Sequence, residues 1–165
     1  MHTKIYSVFP ACGKTWLCDH QEAYGIKILD SDSSHFSWLY VDIDEFGEKM
    51  NGYRKIRNPE FPANYIQHIK GNIGKYDYIF VSSHASVREA LDAEGIDFTI
   101  VYPSAECFVE WVGRCFIREK KGEAGCGPDV LYDNWLQWHR ECEITGCTHE
   151  EIVLSHGQHL SDRMR

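Results

Sequence analysis

The sequence predicts an α/β fold: a doubly wound, five-stranded parallel sheet in the order 2-3-1-4-5, with helices on both faces and a small lid. Three observations carry that expectation. Short apolar runs alternate with helix-patterned segments along the whole chain. Tyr78-Ile-Phe-Val81 is almost continuously apolar, as a central strand covered on both faces requires. Polar clusters at 10–15, 30–32, 82–84 and 103–106 fall at the carboxyl ends of the first four strands, where open α/β sheets bind ligands.

Taken in order, residues 4–9 are the first strand, which runs straight into Gly13-Lys14-Thr15. Thr15–Tyr24 is a helix carrying Trp16, Leu17 and Ala23, stopped by Gly25. Ile26–Leu29 is a short strand ending in Asp30-Ser-Asp32. Residues 33–58 are irregular in pattern, with room for a short helix. Glu60-Phe-Pro62 opens a helix that places Tyr65, Ile66 and Ile69 at helical spacing. The strand at 78–81 leads through Ser82-Ser-His84 to a helix over Ala85–Glu94, stopped by Gly95. Phe98–Tyr102 is the fourth strand, 104–119 a long amphipathic helix, and 122–127 a glycine-rich loop. Pro128 opens a helix with Leu131, Trp135, Leu136 and Trp138; Glu151–Leu154 is the fifth strand, followed by a short tail.

The chain has 165 residues, enough for one domain with a sizeable core. No apolar run reaches membrane-spanning length and no signal peptide is recognisable, so a cytoplasmic protein is expected. The net charge of -8 disfavours a long nucleic-acid partner. The cations nevertheless gather in Arg54-Lys55-x-Arg57 and Arg114-x₃-Arg118-x-Lys120-Lys121, two islands suited to a small phosphorylated ligand. Seven cysteines form no regular disulfide framework and fit a reducing compartment. Cys126, Cys142, Cys147 and His149 lack the usual spacing of a structural zinc site.

A strand, then Pro10-Ala-Cys-Gly-Lys-Thr15, then a helix is the layout of a phosphate-binding loop. Residues 10–15 would cradle the phosphates of ATP, Lys14 would reach the terminal phosphates, and Thr15 would hold Mg²⁺. Val8 stands where the full motif has its first glycine. Asp30 and Asp32 lie beside the loop in this topology; one can assist the metal with Thr15, the other can orient or deprotonate an attacking hydroxyl. A plain capped turn is the alternative for the pair. Ser82 sits at a strand end within reach of a nucleotide. Arg88, Arg54 and Arg57 are candidates for an acceptor's phosphate. Arg114 and Arg118 share a helix face that feeds the glycine-rich loop, the makings of a lid around 114–128 that clamps the transferring phosphoryl group; in an open state both arginines are expected to face solvent. A solvated ion-pair face is the alternative there.

Together these features resemble the small P-loop nucleoside-monophosphate and metabolite kinases. Asp30-Ser-Asp32 looks like the Asp-x-Asp of shikimate-kinase-like enzymes, a resemblance that implies the first Asp assists the metal and the second contacts the acceptor hydroxyl. Phe9-Pro10, Gly13-Lys14-Thr15, Asp30-Ser-Asp-Ser-Ser34, Phe61-Pro62, Val81-Ser-Ser-His84 and Tyr102-Pro103 look closer still to small nucleotide-kinase-like proteins of phages of Gram-positive bacteria, which would act in the host cytoplasm. The leading expectation is an ATP- and Mg²⁺-dependent phosphotransferase acting on a (deoxy)nucleoside monophosphate, as a monomer or homodimer. The alternatives are a kinase for a hydroxyl of a small metabolite or of a modified or terminal DNA nucleotide, and a nucleotide-binding switch or scaffold with weak turnover.

Overall fold

In chain order the elements are β1 (Lys4–Val8), α1 (Lys14–Asp19), β2 (Ile28–Ser31), α2 (Ser34–Ser37), β3 (Trp38–Ile43), β4 (Lys49–Arg57), α3 (Ala63–Asn72), β5 (Tyr78–Ser82), α4 (Ala85–Ala93), β6 (Thr99–Pro103), α5 (Phe108–Lys120), α6 (Pro128–Gly146) and β7 (Glu150–Leu154). This is a computed structural model describing residues 2–43 and 49–164, with the side chains of 40–55 outside that description. Five strands pair in parallel in the order β2-β5-β1-β6-β7. Counted within this sheet alone, that is 2-3-1-4-5, the expected order.

Burial explains which strands are central. Ile79–Val81 of β5, Ile5–Val8 of β1 and all of β6 are buried, whereas edge strand β7 exposes Glu150 and Glu151. Apolar runs go where both sheet faces are covered; charge goes to an edge that must not pair further. Tyr65, Ile66 and Ile69 of α3 and Val87 and Leu91 of α4 pack with Ile5, Ile79 and Val81. Tyr6, Val8, Phe80 and Tyr102 belong to a second cluster with Leu17 of α1, Trp111 and Cys115 of α5, Leu131 and Trp135 of α6, and Leu160 and Met164 of the tail. Among the described residues no helix is long and apolar enough to cross a membrane.

Four details depart from the expectation. The segment 33–58 holds the short helix as α2, which leads into two antiparallel strands on either side of 44–48, residues that lie outside the described ones; Trp38 pairs with Arg57 and Leu39 with Ile56. Its alternating β-branched and aromatic residues at 38–43 support a strand, which the surrounding charges and Gly52 obscure. The helix expected over Thr15–Tyr24 breaks after Asp19, and Gln21–Tyr24 forms a separate 3₁₀ turn. Gln21 accounts for the break, because its side chain donates to the Cys18 carbonyl and accepts from Ile28 N, tying the turn to β2. The second strand spans Ile28–Ser31, so Asp30 lies within it rather than beyond its end. Residues 105–107 form a 3₁₀ turn before α5 begins.

Polar groups in the core make opposite demands. Arg88 of α4 is buried, donating to Thr145 Oγ1 and to the Ser83 carbonyl, with Glu141 of α6 3.8 Å away. The hydroxyls of Ser7 and Ser31, residues that both pair in register with Val81, are buried with no hydrogen-bond partner among the described residues. Arg88→Ala should therefore lower unfolding free energy by about 3 kcal/mol, since it leaves buried partners unmatched. Ser7→Ala should leave stability unchanged or raise it by about 1 kcal/mol. Urea denaturation of both variants checks the opposite signs.

Candidate functional site

The loop after β1 is built by alternating backbone handedness. Phe9 N donates to the Val101 carbonyl, extending the strand by one residue, and Ala11 (φ 60) and Gly13 (φ 93) then adopt left-handed conformations. Such alternation makes a nest, with successive N–H groups turned to one side. The carbonyls are taken from the other side. Trp111 Nε1 donates to Pro10 O (3.0 Å), Arg114 to Ala11 O (3.2 Å), Leu160 N to Cys12 O (2.8 Å) and Leu17 N to Gly13 O (3.1 Å). The amides of Ala11, Cys12, Gly13, Lys14, Thr15 and Trp16 donate to no described protein group. Six N–H groups without a described acceptor at one loop are chemically able to donate to an anion with several oxygens.

Glycine at 13 answers two constraints, its left-handed φ and the His159 ring, whose Cδ2 would lie 3.3 Å from an added Cβ. Val8 ends β1, paired with Ser82 and Val101, so the missing first glycine of the motif falls in extended strand where no glycine is required. The Cys12 thiol is buried, which pushes its pKa up to about 12, so it is a packing group rather than a nucleophile.

Lys14 leaves the loop toward β2, and its Nζ lies 3.8 Å from Asp30 Oδ1. Thr15 is exposed beside it. Asp32 follows β2; burial pushes its pKa up, but the Ser34 N–H (2.8 Å), the Ser34 side chain and Lys14 outweigh that and hold it below the usual carboxylate range. Ser82 Oγ accepts from Ser33 N, so this hydroxyl fastens the β2 and β5 ends together. His84 stands at the start of α4. Burial first, then Arg57, Arg88 and Lys14, push its pKa below 6.5, against the pull of Asp32.

The arginines divide. Arg57 lies over the rings of Trp38 (4.8 Å) and Phe61 (5.7 Å) and is close enough to act on His84. Arg54 lies in β4, with its side chain outside the described residues. Arg88 is committed to the core contacts given above. Arg114 was expected to face solvent, but only 14% of its side chain does. It bonds Glu110, Ala11 O and Gln158 O and lies over Trp111, so it braces the loop. Arg118 takes the Ala124 carbonyl (2.6 Å) and sits so close to Gly125 that a side chain there would collide with it.

Sequence reasoning missed the tail. Leu160 N, the Gln158 carbonyl and His159 all bear on the loop or its brace. The only local signal is a Gly-Gln-His-Leu run after the last strand. Among the described residues one trio could offer ligands to a metal: Cys107, Glu110 and His156, with ligand atoms within 4.8 Å of one another. Glu110 is already engaged there by Arg114, His156 and Gly157 N.

His84 reports on the charges around it. An NMR titration should give it a midpoint below 6.5. Lys14→Ala and Arg57→Ala should each raise that midpoint by relieving repulsion of the imidazolium, and Asp32→Asn should lower it further. Because the folded value is depressed, the stability tied to neutral His84 is complete above 6.5 and declines as pH falls through the window below it. Among known proteins, no family model matches the chain and no curated protein matches it.

Proposed function

We propose that the protein is an ATP- and Mg²⁺-dependent phosphotransferase of the P-loop nucleotide-kinase type, acting on a (deoxy)nucleoside monophosphate. The observation that carries this reading is the group of six undonated amides at 11–16, with Lys14 and Asp30 at the same mouth. The amides would hold the β- and γ-phosphates of ATP, and Lys14 would leave Asp30 to neutralise charge on the transferring group. The exposed Thr15 hydroxyl and Asp30, whose described ion-pair partner is Lys14, are the residues that would hold Mg²⁺, and the ion would supply charge neutralisation to the phosphates. Asp32 would orient the attacking oxygen. Arg57 would meet the acceptor's phosphate. Arg118, whose described hydrogen bond is to the Ala124 carbonyl, would be the lid group that reaches the reacting phosphate.

One observation favours a second reading. An ionised Asp32 beside Lys14 can accept a hydrogen bond from a hydroxyl and orient it, so a kinase for a metabolite or nucleotide hydroxyl is the alternative.

Lys14→Ala should weaken ATP–Mg²⁺ binding and turnover by about 100-fold while leaving the thermal melt unchanged. Asp30→Asn should alter the Mg²⁺ titration, Asp32→Asn should lower turnover, and Arg118→Ala should lower turnover more than ATP affinity. Calorimetry with ATP–Mg²⁺ and ADP release with added monophosphates make the measurements. Unchanged ATP affinity in K14A would reject the loop assignment, and ADP release indifferent to acceptor would reject transfer.

A further inference from the structure

Pro10 faces two ways. On its other side from the phosphate cradle lies a cleft of about 110 Å³, between the carboxyl end of β5 and helix α6, bounded also by His84, Gln137, Trp138 and Glu141. The transfer chemistry above leaves this cleft without a role.

Its walls are fixed by the core. The Trp138 indole meets the buried Phe9 edge to face, at 6.2 Å and 78°. Glu141 is anchored by two neighbours: its Oε1 accepts from Gln137 Nε2 at 3.0 Å, and its Oε2 lies 3.8 Å from buried Arg88. A carboxylate only accepts hydrogen bonds, and Gln137, with its NH₂ turned to Glu141, adds an amide oxygen that accepts from no described donor. The α6 side of the cleft is thus aromatic and rich in acceptors. On the His84 side three cations, Arg57, Arg88 and Lys14, act on the imidazole against one carboxylate, Asp32, with Arg88 also paired to Glu141.

A flat, donor-bearing ring at one end and an anion at the other describe a nucleoside monophosphate. We propose, resting on the nucleotide-kinase reading above, that this cleft receives the base of the acceptor and selects bases with an exocyclic amine (cytosine, adenine, guanine) over thymine and uracil. The amine donates to Glu141 or to the Gln137 oxygen, and the ring lies against Trp138. Thymine and uracil have a single N–H flanked by two carbonyl oxygens. Against this wall those oxygens meet acceptors, an unpaired contact that discriminates more strongly than any difference in size.

Calorimetry on the full chain with dCMP, dAMP, dGMP and dTMP, and with ATP–Mg²⁺ on the same preparation, tests this. The three amine-bearing nucleotides should bind about tenfold or more tightly than dTMP. Trp138→Leu should weaken all four by about tenfold, with ATP–Mg²⁺ affinity held within about twofold. Gln137→Leu, a change on the exposed side of α6 that does not threaten folding, should narrow the gap between dCMP and dTMP. Equal affinity for dCMP and dTMP, or an unchanged ranking in Q137L, overturns the proposal. If ATP–Mg²⁺ binds and no monophosphate does, the base site falls alone. If the monophosphates rank as expected and ATP–Mg²⁺ does not bind, the phosphotransfer reading falls and the base site stands.

Discussion

The candidate site depends on one arrangement, the anchoring of the 10–13 carbonyls from behind. A peptide unit points its N–H and its C=O in opposite directions, so whatever holds the carbonyls aims the amides. Here α5 supplies Trp111 and Arg114, and the tail supplies Leu160 N. The three come from more than 90 residues further along the chain. The loop's local sequence sets its left-handed turns at Ala11 and Gly13, but long-range packing holds its carbonyls and so fixes the orientation of the peptide units. The loop takes this form only once β6, α5 and the tail are in place.

A second coupling runs through Arg88. A buried guanidinium costs several kcal/mol of desolvation unless it is well matched. The Ser83 carbonyl, Thr145 and Glu141 supply the match, and they lie on the β5–α4 junction and on α6. The position of α6 over the sheet end is therefore tied to the turn that carries His84. Glu141 takes part in both: its interaction with Arg88 ties the helix to this turn, and it also lines the cleft.

How far this was legible in the sequence follows from the range of each interaction. The sheet was readable because burial on both faces writes apolar runs at 4–9, 78–81 and 98–102, and helices between parallel strands follow from the alternation. The Lys14–Asp30 proximity was readable from topology alone, since β2 lies in the same sheet as β1 and their ends open on one edge. The ribbon at 38–57 was hidden because its strands mix charge and glycine with the alternating apolar residues, and neither strand belongs to the main sheet. The roles of Arg88 and Arg114 were not readable. An arginine four residues from an acid, as Arg114 is from Glu110, reads as a solvated pair; only the fold reveals Trp111 beneath it and the Ala11 and Gln158 carbonyls beside it.

That placement changes how a closing motion would work. Arg114 has an acid, two carbonyls and an aromatic face as partners, and drawing it toward a bound anion would release Ala11 and loosen the loop at 10–13. Arg118, one turn further on, has one carbonyl partner at Ala124, on a segment with glycines at 122, 125 and 127. Exchanging one neutral carbonyl for a multiply charged phosphate favours the phosphate, because a charge-assisted bond is roughly twice as strong as a neutral one. The two arginines share a helix face yet differ in what holds them: Arg114 is fixed by an acid, two carbonyls and an aromatic ring, whereas Arg118 bonds the single carbonyl of Ala124 among the described residues.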